Sequence, residues 1–299
     1  MAETMHVDKL FKLDGRIALV TGGGTGIGWM IARGLSANGA KVYITGRRLE
    51  VLERVAAAWA QDSAAKGSII PLQLDVTDRT SISAAQELIA EKEGKLHILV
   101  NNAGQTGPVS PFLNDMSAPQ HADAETLGRA LFNNESFEEW AGVYSSNTFS
   151  IFFVTTAFLG LLAKGSTDVV GYPSCVINIT SISGYIKVAQ NHFGYNSSKA
   201  AASHLTKMLA TEFALKKVPV RVCGVAPGVY ESEMTFDTIG PDKVNIVGKG
   251  LIPVPANRPG TAQEVAGTVI YLASPAGCYT NGQDIIIDGG YTAVNPSTQ

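Results

Sequence analysis

Charge is scarce in this 299-residue sequence. Asp, Glu, Lys and Arg make up 16% of the residues, and the formal net charge is -3. A chain with no basic excess has no general attraction for nucleic acid or for anionic lipid. The composition therefore favours a protein that acts on small molecules, with neither nucleic acid nor a membrane as a partner.

Cysteine is scarce as well, since the chain contains only Cys175, Cys223 and Cys278. An odd number of cysteines cannot form a complete disulfide framework, and this spacing is not that of a metal site. Residues 1–15 are too polar and acidic for a secretory signal or a transit peptide, and the most apolar stretch, 151–163, is too short to span a bilayer. We expect a protein without a metal, located in the cytoplasm.

Apolar residues are abundant, at 45% of the chain, and they recur in a regular order. Short β-branched runs alternate with longer stretches of helical periodicity. Apolar strands joined in this way form parallel sheets with helices on both faces. We predict a doubly wound, Rossmann-like α/β fold of about seven strands, formed by residues 1–299 as one domain. The expected strands begin at Arg16, Lys41, Ile69, His97, Cys175, Val220 and Asp284, and the expected helices cover 27–38, 48–60, 80–93, 137–163, 195–216 and 262–273.

One segment interrupts this alternation. Residues 105–134 follow the fourth predicted strand, are too long for an ordinary loop, and contain Pro108, Pro111 and Pro119. Because they follow the carboxyl end of a central strand, they are expected beside a ligand site, as a wall or lid. A short helix is expected at 124–132, with Leu127, Leu131 and Phe132 packed inward. A surface decoration or a contact between subunits is the alternative.

A glycine-rich turn links the first predicted strand to the first long helix. Backbone N–H groups at a helix start bind a pyrophosphate, and glycines let it approach closely. The spacing Gly22-x-x-x-Gly26-x-Gly28 differs from the common G-x-G-x-x-G pattern, so an ordinary tight turn is the alternative. The predicted dinucleotide contacts in this turn are Gly22, Thr25, Gly26, Ile27 and Gly28.

The second predicted strand, Lys41 to Thr45, is followed by Gly46, Arg47 and Arg48, with no carboxylate in the place that would accept a ribose 2′-hydroxyl. Guanidinium groups pair with a 2′-phosphate, which a carboxylate would repel. These residues predict NADP(H) as the cofactor. The alternative, strongest for Arg48, is that they begin a solvated helix.

Tyr195 and Lys199 are four residues apart and therefore share one face of a helix. A nearby ammonium favours the phenolate, so this spacing suits proton transfer by the tyrosine. Such a pair is common by chance, so a catalytic role is predicted only together with the motifs around it.

Those motifs resemble the short-chain dehydrogenase/reductase family from about Leu13 to Tyr291, nearly the whole chain. The matching elements occur in the family's order: TGGGTGIG from Thr21, Asp75 in LDVTD, Asn101-Asn102-Ala103-Gly104, Asn147, Ser181 in NITSISG, the pair Tyr195 and Lys199, and Pro227-Gly228.

The resemblance implies a catalytic role for four residues. Tyr195 would protonate the carbonyl oxygen as hydride arrives, and Ser181 would hydrogen-bond that oxygen. Lys199 would hold the nicotinamide ribose and tune Tyr195, while Asn147 would hold a water that links Lys199 to solvent.

The resemblance also implies further cofactor contacts. Two of them have a structural alternative, because Asn102 can simply tie strands together and Pro227-Gly228 can be only a turn. The implied contacts are Asp75 and Val76 at the adenine, Asn102 and Gly104 at the adenosine ribose, and Pro227, Gly228, Tyr230 and Ser232 at the carboxamide end.

The sequence departs from the family pattern in three places. Ser181 and Tyr195 are one residue further apart than expected, so Ser183 is an alternative to Ser181 as the residue facing the carbonyl. Cys223-Gly224 replaces the usual Asn-Ala pair. The segment 105–134 is longer than the family norm by about twenty residues.

The function implied is reduction of a ketone or aldehyde by NADPH, most similar to 3-oxoacyl reductases and secondary-metabolite ketoreductases. The other class considered is a cofactor-binding biosynthetic or regulatory protein without redox turnover, which the presence of all four catalytic residues disfavours. A homo-oligomer, a tetramer or a dimer, is also expected from the resemblance. The residues expected to flank the substrate, Tyr185, Val188, His192, Phe193 and 229–254, are largely apolar and favour a hydrophobic ketone.

Overall fold

A computed structural model describes residues 5–62, 65–232 and 250–298. Its centre is one sheet of seven parallel strands in the order β3-β2-β1-β4-β5-β6-β7, which confirms the predicted doubly wound fold. The strand order reverses between β1 and β4, and ligands bind at the carboxyl ends of the strands at such a point. The strands are β1 Ile17–Thr21, β2 Lys41–Gly46, β3 Ser68–Gln73, β4 Ile98–Asn101, β5 Ser174–Ile179, β6 Val220–Pro227 and β7 Asp284–Ile287.

Helices cover both faces of the sheet, close to the predicted ranges. The main departures are that the predicted helix 137–163 is divided by a wider turn and that short helices occur near both ends. The helices are α1 Val7–Leu10, α2 Gly26–Ala37, α3 Leu49–Trp59, α4 Arg79–Glu93, α5 Ala124–Asn134, α6 Phe137–Tyr144, α7 Ser150–Gly165, α8 Phe193–Leu215, α9 Ala262–Ala273 and α10 Tyr291–Val294.

Two apolar cores form because side chains alternate along each strand. On β1, Ala18 and Val20 face one core, with α2 and α9, whereas Ile17 and Leu19 face the other, with α4, α7 and α8. All five residues of β1 are buried, as expected for a strand covered on both sides.

Helices α6 and α7 are joined by a π-helical turn, Ser145–Phe149. The continuous helical run Phe137–Gly165 is long and apolar enough to cross a membrane by length and composition, with a mean hydropathy of 1.5, although the stretch 151–163 alone is too short. Half of its most apolar window is buried within the fold, where Val154 and Phe158 pack in the second core.

The segment 105–134 has structure of its own: two short 3₁₀ turns, Pro111–Asn114 and Pro119–His121, precede α5. The predicted helix is therefore present. The expectation that Phe132 packs inward is wrong, because this side chain is 83% exposed. Leu127 and Leu131 are half-buried, so the apolar stripe of α5 lies on the surface of the fold instead of in a core.

His97 lies at the amino-terminal edge of the sheet, away from the strand ends that bind ligands. Its Nδ1 accepts a hydrogen bond from the Ile17 N–H at 2.9 Å, and its Nε2 lies 2.9 Å from Oδ2 of Asp168. The ring is 2% exposed, and burial lowers the pKa of His97 below its ordinary 6.5. A second proton would remove the acceptor for Ile17, so the fold needs this histidine neutral.

We expect the free energy of unfolding to decrease as the pH falls below about 6.5. A lowered pKa in the folded state means that the unfolded chain binds more protons in this range, so the stability is present above it and lost below it. Leaving the buried Ile17 N–H unpaired costs about 1–3 kcal/mol. Urea unfolding at pH 7 and pH 5 measures the difference, which should shrink in His97→Gln and persist in His204→Gln, a change at an exposed histidine. An equal pH dependence in wild type and His97→Gln would contradict the assignment.

Candidate active site

A cleft of about 610 Å³ opens at the carboxyl edge of the sheet, where the strand order reverses. Of the predicted catalytic and cofactor-binding residues, Asn147 alone does not line it. Whether the others contact a cofactor stays a prediction. The predicted residues that line the cleft are Gly22, Thr25, Gly26, Ile27, Gly28, Arg47, Arg48, Asp75, Val76, Asn102, Gly104, Ser181, Tyr195, Lys199, Pro227, Gly228, Tyr230 and Ser232.

The glycine turn forms one wall of this cleft. Gly26 has a positive φ of 50°, and a Cβ added to it would lie 2.9 Å from the Cβ of Ser232 across the cleft. A side chain at Gly28 would overlap the carbonyl oxygen of Gly22. The first N–H groups of a helix have no acceptor within it, and those of α2 belong to residues of the cleft wall. This close-packed turn at a helix start fits a pyrophosphate.

Arg47 and Arg48 are both exposed at the far end of the cleft. Gln73 on the neighbouring strand donates to the Arg47 carbonyl at 3.0 Å, which fixes the chain direction there. Asp75 faces them: its Oδ1 accepts hydrogen bonds from the N–H and the hydroxyl of Thr77, at 2.9 and 2.7 Å. These hydrogen bonds, with a smaller effect of Arg47, hold the pKa of Asp75 below its usual value. The carboxylate is thus ionised and held in a fixed position.

Asn102 connects β4 to the glycine turn. Its side-chain Nδ2 donates to the carbonyls of Thr21 and Gly22, at 2.9 and 3.1 Å. These contacts show that Asn102 ties the end of β4 to the end of β1, which is the structural alternative. The residue also lines the cleft. A Cβ added to Gly104 would be 3.8 Å from Nζ of Lys199, which places Gly104 near the reacting end of the cleft. The contact of Gly104 with the adenosine ribose stays a prediction.

Ser181, Tyr195 and Lys199 meet in this cleft. Ser181 follows β5 and caps a single 3₁₀ turn, Ile182–Gly184, accepting a hydrogen bond from the Ser183 N–H at 3.1 Å. Tyr195 and Lys199 lie on the first turns of α8, with the Lys199 Nζ 5.8 Å from the centre of the Tyr195 ring. Lys199 donates to the carbonyl oxygen of Ile179 at 2.9 Å and is 5% exposed. Ser181 lines the cleft and Ser183 packs behind it, which favours Ser181 as the residue facing the substrate.

Burial shifts the protonation equilibria of both α8 residues. It raises the pKa of Tyr195, and a hydrogen bond with the Ser181 hydroxyl opposes that rise. It lowers the pKa of Lys199 to about 8, while the charge of Asp284 opposes the fall. The expectation that the ammonium lowers the pKa of Tyr195 is therefore outweighed here by desolvation. At neutral pH the phenol carries its proton, as an acid needs to.

Asn147 lies behind the cleft and its side chain is fully engaged by protein groups. Its side chain is 1% exposed: Oδ1 accepts from the Gln105 N–H, and Nδ2 donates to the Gln105 carbonyl and to Oγ of Ser198, all at 2.9 to 3.0 Å. Both N–H groups of the amide are therefore committed to protein acceptors. The Asn147 side chain therefore fixes the loop that follows β4 against α8, and the expectation that Asn147 holds a water stays a prediction.

Part of the predicted substrate wall is also displaced. Tyr185 is 5% exposed and hydrogen-bonds to Asp284 behind the cleft, so it does not face a substrate. His192 remains beside the reaction site, with ring centres 5.4 Å apart from Tyr195, and Phe193 is 43% exposed. Of the predicted wall 229–254, residues 233–249 lie outside the described residues.

Sequence reasoning missed several residues of the cleft. Most of them lie next to predicted residues at the carboxyl ends of strands, and two lie on the first turn of α3. Their position just after a strand was the available signal. They include Gly24, Thr45, Gly46, Val51, Leu52, Leu74, Thr77, Ala103, Gln105, Thr106, Ser146, Ile179 and Thr180. Across the described ranges there is no group of three or more His, Cys, Asp or Glu side chains that could hold a metal ion.

Comparison with known proteins identifies the family. A family model described as enoyl-(acyl carrier protein) reductase matches residues 22–292. The short-chain dehydrogenase/reductase VdtF of Byssochlamys spectabilis is 36% identical over 320 residues, which cover 99% of this chain and 99% of that protein. The chain belongs to the short-chain dehydrogenase/reductase family.

Solved structures extend the likeness to the whole fold. The complex of RhlG with NADP from Pseudomonas aeruginosa matches with a TM-score of 0.78 and 32% identity, covering 96% of this chain and 99% of that chain. A 7α-hydroxysteroid dehydrogenase, solved with NADH and 7-oxo glycochenodeoxycholic acid, matches with a TM-score of 0.75 and 28% identity, covering 96% and 98%.

Proposed function

We propose that this protein is an NADPH-dependent carbonyl reductase that converts a hydrophobic ketone or aldehyde to an alcohol. The observation that carries the proposal is the meeting of Ser181, Tyr195 and Lys199 in the same cleft as the glycine turn and Arg47. Two hydroxyl groups beside a buried lysine suit a carbonyl oxygen that gains charge and then a proton.

The cleft fits a nicotinamide dinucleotide along its length. The tight turn before α2 suits the pyrophosphate, and Arg47 suits a 2′-phosphate at the exposed end. Related structures hold NADP in one case and NADH in another, so the preference for NADPH rests on Arg47. Bound NADPH supplies the hydride.

The residues of this chain manage the carbonyl oxygen and its proton. Ser181 donates a hydrogen bond to the oxygen, and Tyr195, protonated at neutral pH, transfers the phenolic proton to it. Lys199 is held by the Ile179 carbonyl at the end of β5, where its ammonium can bind a ribose hydroxyl and stabilise the phenolate that remains. The reverse sequence oxidises an alcohol, and the preference for NADPH favours reduction in a cell.

The test of this proposal is NADPH consumption with a panel of ketones and aldehydes, together with enoyl thioesters because of the matched family model. The proposal expects turnover of carbonyls, with a bulky apolar ketone preferred over a polar sugar. A solved relative that holds a 7-oxo steroid supports this choice of panel. NADPH binding without turnover of any member would favour the cofactor-binding alternative, and reduction of the enoyl compounds alone would contradict the assigned reaction.

We further propose that residues 105–134 form a wall of the substrate site. Gln105 and Thr106 line the cleft, and the N–H of Ser110 donates at 2.7 Å to the carbonyl of Asn191, in the loop that precedes Tyr195. The segment is closed at its base, because the Ser110 hydroxyl donates to Glu135 at 2.8 Å.

Because Ser110 and Glu135 hold the two ends of the segment together, the residues between them can be removed without separating those ends. Replacing residues 111–133 by a short Gly-Ser turn should alter the ratio of kcat/KM between a bulky and a small ketone by about tenfold, because apolar contacts worth 1–3 kcal/mol are removed from one substrate. The Kd for NADPH is the control and should not change. Equal kinetics on both ketones would support a decorative role, and a changed oligomeric state would support a contact between subunits.

The remaining expectations complete the proposal. We propose a single domain that acts in the cytoplasm as a homo-oligomer. The outer face of α7 supports an assembly, because Phe149, Phe152 and Phe153 are 50%, 45% and 41% exposed. Light scattering after size exclusion measures the state directly, and a monomer at micromolar concentration would contradict the expectation.

A further inference from the structure

A carboxylate lies beside the reaction site that the family motifs do not use. Asp284 begins β7 and pairs with Gly224 of β6. Its side chain lies across that glycine, since a Cβ at position 224 would overlap Oδ1 of Asp284. Gly224, one of the departures from the family pattern, thus makes the space in which the carboxylate extends over β6 toward β5.

The carboxylate contacts the turn that carries Ser181. The hydroxyl of Tyr185 donates to Oδ2 of Asp284, and the hydroxyl of Thr180 lies 3.3 and 3.4 Å from its two oxygens. Thr180 and Tyr185 stand on either side of Ser181 in sequence. The Thr180 hydroxyl also lies 3.1 Å from the carbonyl of Val225, so Tyr185 is the firmer link between Asp284 and the serine turn.

The same network reaches the helix of Lys199. Oγ of Ser203, one helical turn after Lys199, lies 2.6 Å from the Tyr185 hydroxyl. Because that hydroxyl gives its proton to Asp284, Ser203 donates to it. Asp284, Tyr185 and Ser203 therefore form a chain of hydrogen bonds between the edge strand and α8.

Charge gives Asp284 a second effect. A buried ammonium is costly unless an opposite charge lies near it. The two groups are not in direct contact, but they meet neighbouring residues: Lys199 donates to the carbonyl of Ile179 at 2.9 Å, and the hydroxyl of Thr180 lies 3.3 Å from the Asp284 carboxylate. Burial lowers the pKa of Lys199 to about 8, and the charge of Asp284 opposes this fall. Among the described residues, the titratable groups of this region are Tyr195 on α8, His192 just before it, Tyr185 after β5 and Asp284 on β7. The turn between α6 and α7 contributes the neutral Asn147.

We propose that Asp284 is the counter-ion of Lys199 and that, through Tyr185 and Thr180, it also fixes the turn that carries Ser181. The proposal rests on the proposed function of Lys199 and Ser181. Asp284 stands behind the wall formed by Thr180, so it is a positioning residue that acts through other groups. The two features depend on each other, because the carboxylate of Asp284 fits over β6 only where glycine replaces the alanine of the family pattern at position 224.

The first test measures Lys199 in the protein without cofactor or substrate. Competitive labelling with trace acetic anhydride, followed by mass spectrometry of the peptide, gives the pH midpoint of its amine. Asp284→Asn keeps the shape and removes the charge, so the midpoint should move down by about half a pH unit or more. Asp288→Asn removes a charge just after the other end of β7 and should leave the Lys199 midpoint unchanged. An unchanged midpoint in Asp284→Asn would overturn the proposal.

The second test separates the charge from the hydrogen bonds. Tyr185→Phe removes the link to the Ser181 turn but retains the carboxylate, so it should lower kcat while the Lys199 midpoint stays near that of the wild type. In Asp284→Asn the alkaline limb of kcat against pH should also shift downward. An equal shift of the midpoint in Tyr185→Phe would assign the effect to packing and overturn the role of the charge.

Two further controls make the result interpretable if a variant does not fold or if the wild type shows no activity. If Asp284→Asn does not fold, the pair Gly224→Ala and Asp284→Ser removes the charge while the added methyl fills the space of the carboxylate, and the same shift is expected. If the wild type reduces no carbonyl, the proposed function fails, yet the labelling experiment still decides whether Asp284 is the counter-ion.

Discussion

Tyr195→Phe is expected to retain the fold and the affinity for NADPH and to lower kcat for carbonyl reduction by about a hundredfold or more. The change removes the hydroxyl that gives its proton to the substrate oxygen, and a positioned acid contributes at least this factor. Because burial raises the pKa of Tyr195, the proton is present at neutral pH in the wild type. Steady-state rates with one ketone, and NADPH binding by fluorescence, measure the two parts separately.

A matched control for this variant is Tyr172→Phe. Tyr172 donates to the Ala273 carbonyl at 2.8 Å at the amino-terminal edge of the sheet, far from the cleft. Tyr172→Phe removes a half-buried, hydrogen-bonded hydroxyl, but this variant should keep the wild-type kcat. Near-normal turnover in Tyr195→Phe would show that another group donates the proton.

Arg47→Ala is expected to raise the Kd for NADPH by about tenfold or more and to leave the Kd for NADH unchanged. Charge-assisted hydrogen bonds from a guanidinium to a phosphate contribute about 1.5–3 kcal/mol, and the exposure of Arg47 places the expected effect at the lower end. Titration of both cofactors against wild type and variant measures the preference.

Arg48→Ala is the comparison that assigns the contact. Arg48 lies directly before α3 and also lines the cleft, and it is expected to make a smaller contribution than Arg47. Equal binding of NADPH and NADH by the wild type, or an equal loss of both in Arg47→Ala, would contradict the assignment to the 2′-phosphate.

Much of the fold was predictable because local signals agreed with the long-range ones. The apolar runs gave the seven strands, and the glycine turn before α2 fixed which strand ends face the cleft. The family motifs then located Ser181, Tyr195 and Lys199 near one another. The sequence does not choose between Ser181 and Ser183, because the choice depends on how a single 3₁₀ turn orients two hydroxyls that lie two residues apart.

The errors arose where tertiary contacts decide. Phe132 has the periodicity of a buried residue, but α5 packs on the surface of the fold and leaves it exposed. The partners of the Asn147 side chain were also not predictable, because the long segment after Gly104 supplies the backbone of Gln105. The prediction that a strand begins at Asp284 is confirmed, but only the structure reveals the contacts of its carboxylate with Thr180 and Tyr185.

The most direct test of the central claim follows the hydride itself. NADPH carrying deuterium at the transferable C4 position is incubated with the protein and a ketone that it consumes, and the alcohol is analysed by mass spectrometry. The account predicts an alcohol with deuterium on the carbinol carbon, formed by the wild type and nearly absent with Tyr195→Phe. An alcohol without the label, or NADPH that binds and is never oxidised by any carbonyl, would contradict it.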